Sequence, residues 1–335
     1  MNRKRALHII WLMMMTITCF SQDPQFSRFY SNAMYMAPSF TGISGANRFS
    51  MSYRSQWPEI KTGYYTYSAS YDHYFSKLNS GLGVLFLKDV AGTGCLSTTN
   101  IGLLYSYDIK VNNTLHIRPG MNLTYSIRSI DFEKLLWGDQ MSAVGNSPVT
   151  GEVVSFDRTG DLDFSTSALA YTEFLWVGLS VDHLLRPNQS LYEFEYADDN
   201  FAKVPMKYQV FGGGRYVLKE RLLRPIPTVL QFAFLYKKQA EFNQLDVGFY
   251  WYYDPLVLGI WYRGVPIIRS NDMNDAFIML VGFKNQHFNI GYSYDFTTSG
   301  LISSTGGSHE ISIAYTFNQP ERRRLPKKMV PCPDF

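Results

Sequence analysis

The sequence predicts an all-β fold, a transmembrane antiparallel β-barrel of about fourteen strands over residues 48–317. Two observations predict it. Apolar and small polar residues alternate in about fourteen segments, and the connections between these segments alternate between longer and shorter ones. Alternation gives each strand one apolar and one polar face. Long loops at one end and short turns at the other are typical of outer-membrane barrels, whereas a soluble β-sandwich seldom shows that asymmetry.

The last alternating segment, residues 310–317, shows the pattern clearly. Ile311 and Ile313 share one face with two aromatic residues, and Ser312 lies on the other face between them. An open sheet edge is not tolerated in hydrocarbon. We therefore expect this segment to pair with the first strand and close the barrel.

The polar faces of the strands carry charged residues of both signs. A pore that selects one sign of ion usually shows rings of one charge. The mixture therefore predicts an ion-paired lining, or a seat for a segment that fills the barrel. The residues concerned are Arg48, Arg54, Arg118, Arg128, Lys207 and Arg215 together with Asp72, Asp163, Asp246, Asp295 and Glu310.

Residues 1–21 are predicted to be a signal peptide. Three basic residues, Arg3, Lys4 and Arg5, precede an apolar stretch over residues 6–20, and small residues stand at the expected cleavage site. A membrane-anchoring helix is the alternative, but the stretch is shorter than the roughly 20 residues that a span needs. The chain after the leader is then formally neutral, and nothing in it suggests a nucleic-acid partner.

Residues 22–47 are predicted to be a periplasmic or plug segment. Phe26, Phe29 and Tyr30 are spaced for one helical turn rather than for a strand. Apolar residues in a segment this short must be buried by something larger. We expect the three side chains to contact the periplasmic mouth of the barrel or a partner protein.

Residues 318–335 are predicted to be a basic periplasmic tail. Arg322, Arg323 and Arg324 begin a run of five basic residues, and Cys332 and Phe335 stand at its end among prolines. These five named residues are candidates for contact with a partner, and a disordered end is the alternative. Cys95 is expected at an outer loop or strand end, too far from Cys332 for a disulfide within one chain.

No motif in the chain indicates catalysis. His309 shares strand parity with Ile311, so it points outward, and no serine near it stands in a recognisable nucleophile motif. Nor do the histidines, cysteines and acidic residues match the spacing of a metal site. The sequence therefore predicts a protein that is not an enzyme and has no cofactor.

Several collinear stretches resemble one protein family. The matching stretches are QDPQFSRFYSNAMYMAPSFTG at residues 22–42, YRSQWP at 53–58, WGDQ at 137–140, DHLLRP at 182–187, YSYDF at 292–296, GSHEIS at 307–312 and the closing CPDF. They strongly resemble the PorP/SprF family of type IX secretion and gliding-motility proteins of Bacteroidetes. The chain departs from that pattern at Ala33-Met34 and at Asp334.

The resemblance implies an outer-membrane protein that works with the periplasmic and outer-membrane components of the type IX machinery. Family members act in the core apparatus or as partners of large secreted adhesins. We therefore expect a non-enzymatic component that supports secretion or surface attachment of cargo proteins by protein contacts, with both termini in the periplasm. The alternative is a transport barrel, either a porin or a channel for a hydrophobic solute.

Overall fold

A computed structural model describes residues 23–60, 62–93, 95–142, 145–146, 151, 157–191, 203–219, 228–264, 276–297 and 306–317. The predicted signal peptide and the predicted basic tail, with Arg322, Arg323, Arg324, Cys332 and Phe335, lie outside the described residues. Across the described part of the chain, no helix is long and apolar enough to cross a membrane.

Fourteen antiparallel strands form the ring. They are β1 Asn47–Gln56, β2 Tyr64–Phe75, β3 Ser80–Ala91, β4 Leu96–Tyr107, β5 His116–Ser129, β6 Arg158–Tyr171, β7 Leu175–Asp182, β8 Lys207–Lys219, β9 Thr228–Gln239, β10 Phe242–Tyr253, β11 Leu256–Arg263, β12 Ala276–Lys284, β13 Phe288–Thr297 and β14 Ser308–Phe317. Each strand pairs with its sequence neighbours, and β14 pairs with β1 from Asn47↔Phe317 to Gln56↔Ser308. The predicted closed barrel and its strand number are confirmed.

Three short strands lie outside the predicted pattern. Ile109–Lys110 adds two residues to the edge of β5, and Met141–Ser142 pairs with Gly145–Asn146 in the loop after β5. Two-residue strands have no measurable alternation, so hydrophobic periodicity cannot reveal them. The ring runs from Asn47 to Phe317, against the predicted bounds of 48 and 317.

Apolar side chains cover the outer face of the ring, with aromatic residues concentrated towards its two ends. Isoleucine, leucine, valine and methionine dominate the middle, as at Leu103, Leu123 and Ile313. This distribution is the aromatic girdle of a barrel that spans a bilayer. The outward aromatic residues include Tyr53, Tyr64, Tyr67, Tyr125 and Tyr208 towards one end and Phe75, Tyr107, Tyr253, Phe283 and Tyr315 towards the other.

The two ends of the barrel differ in their connections. At the loop end, connections span residues 57–63, 92–95, 130–157, 183–206, 240–241, 264–275 and 298–307. At the turn end, connections span residues 76–79, 108–115, 172–174, 220–227, 254–255 and 285–287. The first strand starts and the last strand finishes at the turn end.

Leu123 and Asn122 provide a direct test of which face meets lipid. Leu123 is 47% exposed on the outer face of β5, and its neighbour Asn122 points inward. We expect Leu123→Arg to lower the free energy of unfolding by about 2–4 kcal/mol, because it places a charge in the hydrocarbon. Asn122→Arg should cost much less. Urea unfolding of both variants in lipid vesicles measures the difference, and equal losses would contradict the assigned faces.

Candidate functional site: the segment inside the barrel

Residues 23–46 lie inside the ring, and we call them the inner segment. The segment contains one helical turn, α1 (Ala33–Met36), and a 3-10 turn over Pro38–Phe40. Its contacts reach strands on every side of the barrel, from β2 through β8 to β14. The inner segment therefore occupies the lumen at these levels.

Aromatic packing forms the middle of the inner segment. The ring of Phe29 lies 4.6 Å from that of Trp261 in an edge-on arrangement, and Phe40 lies 5.3 Å from Phe211. The hydroxyl of Tyr30 donates a hydrogen bond to the carbonyl of Gly212. Burial of each such side chain contributes about 1.5–3 kcal/mol. Thus the lumen at this level is a hydrophobic core rather than a polar channel.

Met34 packs on the opposite wall of the barrel. It forms a second buried cluster with Leu85 of β3 and Leu104 of β4. Because α1 is only one turn long, successive side chains point in different directions, and the segment reaches both walls at once. This spread of contacts fixes the segment across the full width of the lumen.

A buried charged network surrounds Ser27 and Arg28. Glu310 is fully buried and accepts a hydrogen bond from the Ser27 amide at 2.6 Å. Arg54 bridges Asp295 at 3.0 Å and Glu310 at 3.7 Å. The guanidinium of Arg28, also fully buried, donates to the Ser312 hydroxyl.

Further ion pairs extend this network along the wall. Arg263 of β11 contacts Asp295 at 3.0 Å and Asp246 at 4.0 Å. Three arginines of the barrel and inner segment thus face three carboxylates of the barrel. Because buried ions are tolerated only when paired, this arrangement offsets the cost of desolvating them.

Gly291 of β13 makes room for Arg28. A Cβ atom at this position would overlap the Arg28 guanidinium. Only glycine leaves the wall flat enough for the planar group to lie against it. Glycine at this position of β13 therefore allows the inner segment to pack against the strand.

A second charged cluster holds the first described residue at the loop end. His183 lies just beyond β7, and its Nε2 and Nδ1 atoms are 2.8 Å from Asp23 and 2.6 Å from Asp163. Lys207 adds contacts to Asp23 at 2.7 Å and to Asp182 at 3.2 Å. Both ring nitrogens of His183 face carboxylates, so both act as donors and the imidazole is cationic.

The pKa values of Asp23 and His183 reflect this pairing. Burial opposes charge on His183, but the Coulomb attraction of Asp23 and hydrogen bonds to Asp163 and Asp23 outweigh it and raise the pKa of His183 to about 10. Burial likewise raises the pKa of Asp23, but His183 and Lys207 together hold it well below its usual value. Both groups therefore stay charged at neutral pH.

This cluster predicts a stability that depends on pH. A raised pKa means that the His183 contribution is complete below its unfolded value of about 6.5 and is lost as pH rises through about 10. We expect His183→Asn to lower the free energy of unfolding by about 1.5–3 kcal/mol at pH 7. The difference from wild type should shrink above pH 10. Urea unfolding at several pH values measures it, and a gap unchanged at high pH would contradict the pairing.

The inner segment is anchored again at the turn end. The carbonyl of Thr41 accepts hydrogen bonds from Arg118 at 2.6 Å and from the Ser106 hydroxyl at 2.7 Å. The Gly42 amide donates to Asp72 at 2.7 Å. Gly42 has a φ of +70°, which glycine adopts without strain. This turn redirects the chain into β1.

The ends of the described chain lie at opposite ends of the barrel. Asp23 contacts residues at the loop end, whereas Phe317 finishes β14 at the turn end. This differs from the expectation that both termini lie on one side. The charged cluster around Asp23 and the aromatic core below it hold the inner segment along the length of the lumen, so its start cannot remain beside β14.

Phe26, Phe29 and Tyr30, the predicted contact residues of the N-terminal segment, are buried inside the ring. Phe26 packs edge-on to Tyr35 at 5.5 Å. Sequence reasoning did not select Asp23, Ser27 or Arg28. A signal for them existed, because the inward-facing Asp295 and Glu310 required buried partners.

The arrangement holds a segment of the protein's own chain. Among the described residues, no group of three or more histidine, cysteine, aspartate or glutamate side chains is placed to hold a metal ion. Charged side chains of the lumen such as Arg54 and Lys207 are instead paired with carboxylates of the barrel and of the inner segment. The site is thus occupied by the protein's own chain.

Residues 18–315 match the family model described as type IX secretion system membrane protein PorP/SprF. No curated protein matches the chain. Similar solved structures include the Ralstonia pickettii toluene transporter TbuX, with 9% identity, a TM-score of 0.49 and coverage of 85% of this chain and 93% of that one. The Acinetobacter baumannii outer membrane protein Omp33 has 10% identity, a TM-score of 0.44 and coverage of 83% and 100%.

Proposed function

Because the chain belongs to the PorP/SprF family of type IX secretion system membrane proteins, we propose that it is a plugged, non-enzymatic component of that system in the outer membrane. In this proposal it supports secretion or surface attachment of cargo proteins, such as adhesins, through protein contacts on its exposed ends. Cargo does not pass through its lumen.

The observation that carries the proposal is the occupancy of the lumen by the inner segment. Aromatic packing around Tyr30 and the ion network around Glu310 join the inner segment to the barrel wall. A porin or solute channel needs a continuous polar or apolar path. A barrel whose lumen is occupied by its own chain is expected to act through protein contacts on its exposed surfaces.

The proposed orientation places the loop end outside the cell and the turn end in the periplasm. Long outer loops and short periplasmic turns are the rule for such barrels. The start of the inner segment then faces outward. In this orientation residues 318–335 follow β14 into the periplasm, where they can contact other components of the secretion system.

The basic tail is proposed to dock on an acidic surface of a periplasmic component. Its five basic residues, beginning with Arg322, Arg323 and Arg324, supply the attraction, and Cys332 or Phe335 would fix the end. Phe26, Phe29 and Tyr30 have a different role in this proposal. They hold the inner segment inside the barrel and do not contact partner proteins directly.

Truncation after Asn318 tests the docking proposal. We expect co-purification of type IX components to fall about tenfold or more while the level of barrel in the membrane is unchanged, since about 1.4 kcal/mol of lost contact corresponds to tenfold in affinity. Cys332→Ser in the full chain separates thiol chemistry from charge. Retained partners together with retained secretion in the truncated protein would reject a docking role for the tail.

A further inference from the structure

A shallow cationic pocket lies on the outer face of the barrel at the loop end. Its volume is about 250 Å³. Tyr208 of β8 and Lys238 of β9 pair directly across the two strands, and both side chains point outward. Arg186 reaches the pocket from the loop after β7. The lining residues are Arg186, Pro205, Met206, Tyr208, Lys238 and Ala240.

The charge of this pocket is uncompensated within the described part of the chain. Arg186 and Lys238 are both exposed, and neither forms an ion pair with a described carboxylate. The described residues of the lining include no acidic side chain. This contrasts with the lumen, where Arg54, Lys207 and Arg263 are all paired. A guanidinium beside an ammonium group is a common means of binding phosphate.

An apolar strip begins directly below the pocket. Val181 pairs with Tyr208, Leu179 pairs with Val210, and Val210 pairs with Tyr236 on the same outward face. Leu179 and Val210 are exposed there. The surface therefore changes from cationic to apolar over one or two residues along the strands. This is the order of groups in a lipid, with a phosphate at the water boundary and acyl chains beneath it.

We propose that this pocket binds the phosphate of a phosphorylated glycolipid of the outer leaflet, with lipid A as its minimal form. Arg186 and Lys238 hold the phosphate, Tyr208 lies at the level of the headgroup, and the strip through Leu179 and Val210 receives an acyl chain. The inference rests on the proposed orientation, which puts the loop end in the outer leaflet. Inorganic phosphate shares the headgroup chemistry but would lack the apolar contact.

Native mass spectrometry of the full-length protein in detergent tests the proposal, with diphosphorylated lipid A as the probe. We expect the double variant Arg186→Ala/Lys238→Ala to bind lipid A about tenfold or more weakly, because it removes both charged donors to the phosphate. Lys238→Arg should retain most binding. Lys88→Ala is the matched control, since Lys88 is an outward lysine near the loop end of β3 and is absent from this pocket.

Four comparisons test the site and the source of the phosphate. Loss of binding on removal of the lipid A phosphates supports the site, and so does failure of millimolar inorganic phosphate to displace the lipid. Equal binding by wild type and the double variant would overturn it. Equal affinity for phosphatidylglycerol would overturn it as well, in favour of a general acidic-lipid surface.

Folding and orientation are checked separately. Heat-modifiable migration on gels shows whether each variant forms the barrel. If the double variant does not form the barrel, lipid binding is compared between wild type and Lys238→Arg instead. Surface labelling of tags in residues 130–157 on intact cells reports the orientation. The lipid assay uses no secretion partner, so its failure is distinguishable from failure of the proposed secretion role.

Discussion

Deleting residues 23–40 will convert the barrel from a closed structure into an ion-conducting pore. The deletion removes Phe29, Tyr30 and Phe40 from the aromatic core and Arg28 from the charged network, so water fills the lumen. Planar-bilayer recordings should show steady currents for the deletion variant and only rare openings for wild type. Secretion of type IX cargo should fall more than the amount of barrel inserted in the membrane.

Truncation after Asn318 is the matched control for the conductance measurement. It removes a piece of similar length from the other end of the chain, outside the ring strands, and should leave the barrel closed. A deletion variant that inserts normally but stays non-conducting would contradict the occupancy of the lumen by the inner segment. Normal secretion with normal barrel levels would contradict its proposed role.

Replacing Glu310 by glutamine is expected to cause the largest loss of stability among single substitutions in the lumen. Glu310 faces Arg54 at 3.7 Å and accepts the Ser27 amide at 2.6 Å, with no solvent exposure. Without the Glu310 charge, the three buried arginines of this network face two carboxylates instead of three, and the loss of a buried counter-charge costs about 3–5 kcal/mol. The amide keeps the volume of the side chain, so the change tests charge rather than packing.

Glu241→Gln is the control for Glu310→Gln. Glu241 lies exposed in the two-residue connection between β9 and β10, and its loss of charge should change stability by less than about 0.5 kcal/mol. Urea unfolding in lipid vesicles measures both variants, and an unchanged slope confirms that only stability has shifted. Equal midpoints for the two variants would contradict the buried network.

The ring could be predicted from sequence because strand parity is a local property. Ile313 and Ser312 face opposite sides whatever the rest of the chain does, and a lipid environment enforces the pattern on every strand. The mixed charges of the inward faces predicted ion pairs, and the pair of Arg48 with Asp72 at 3.0 Å is one of them. The ends of the strands are harder to predict than their faces, because no alternation marks where a strand leaves the membrane.

The path of the inner segment could not be predicted from its sequence. The spacing of Phe29 and Tyr30 indicated a buried helical turn but not its direction or its partners. The contacts that decide both join residues far apart in the chain, as Asp23 meets Lys207 and Ser27 meets Glu310. No local pattern contains such information. For the same reason no local pattern indicates that Arg28 is fully buried against Gly291.

The Ser27–Glu310 contact also links the earliest and latest parts of the chain during assembly. Ser27 reaches Asp295 on β13 and Glu310 on β14, across 268 and 283 residues of sequence. Before β14 meets β1, Glu310 of β14 is separated from Arg54 of β1, and both groups remain hydrated. Glu310 contacts both the inner segment and β1, so binding of the inner segment and closure of the ring stabilise each other. A seam strengthened in this way resists opening sideways into the bilayer for as long as the interior stays filled.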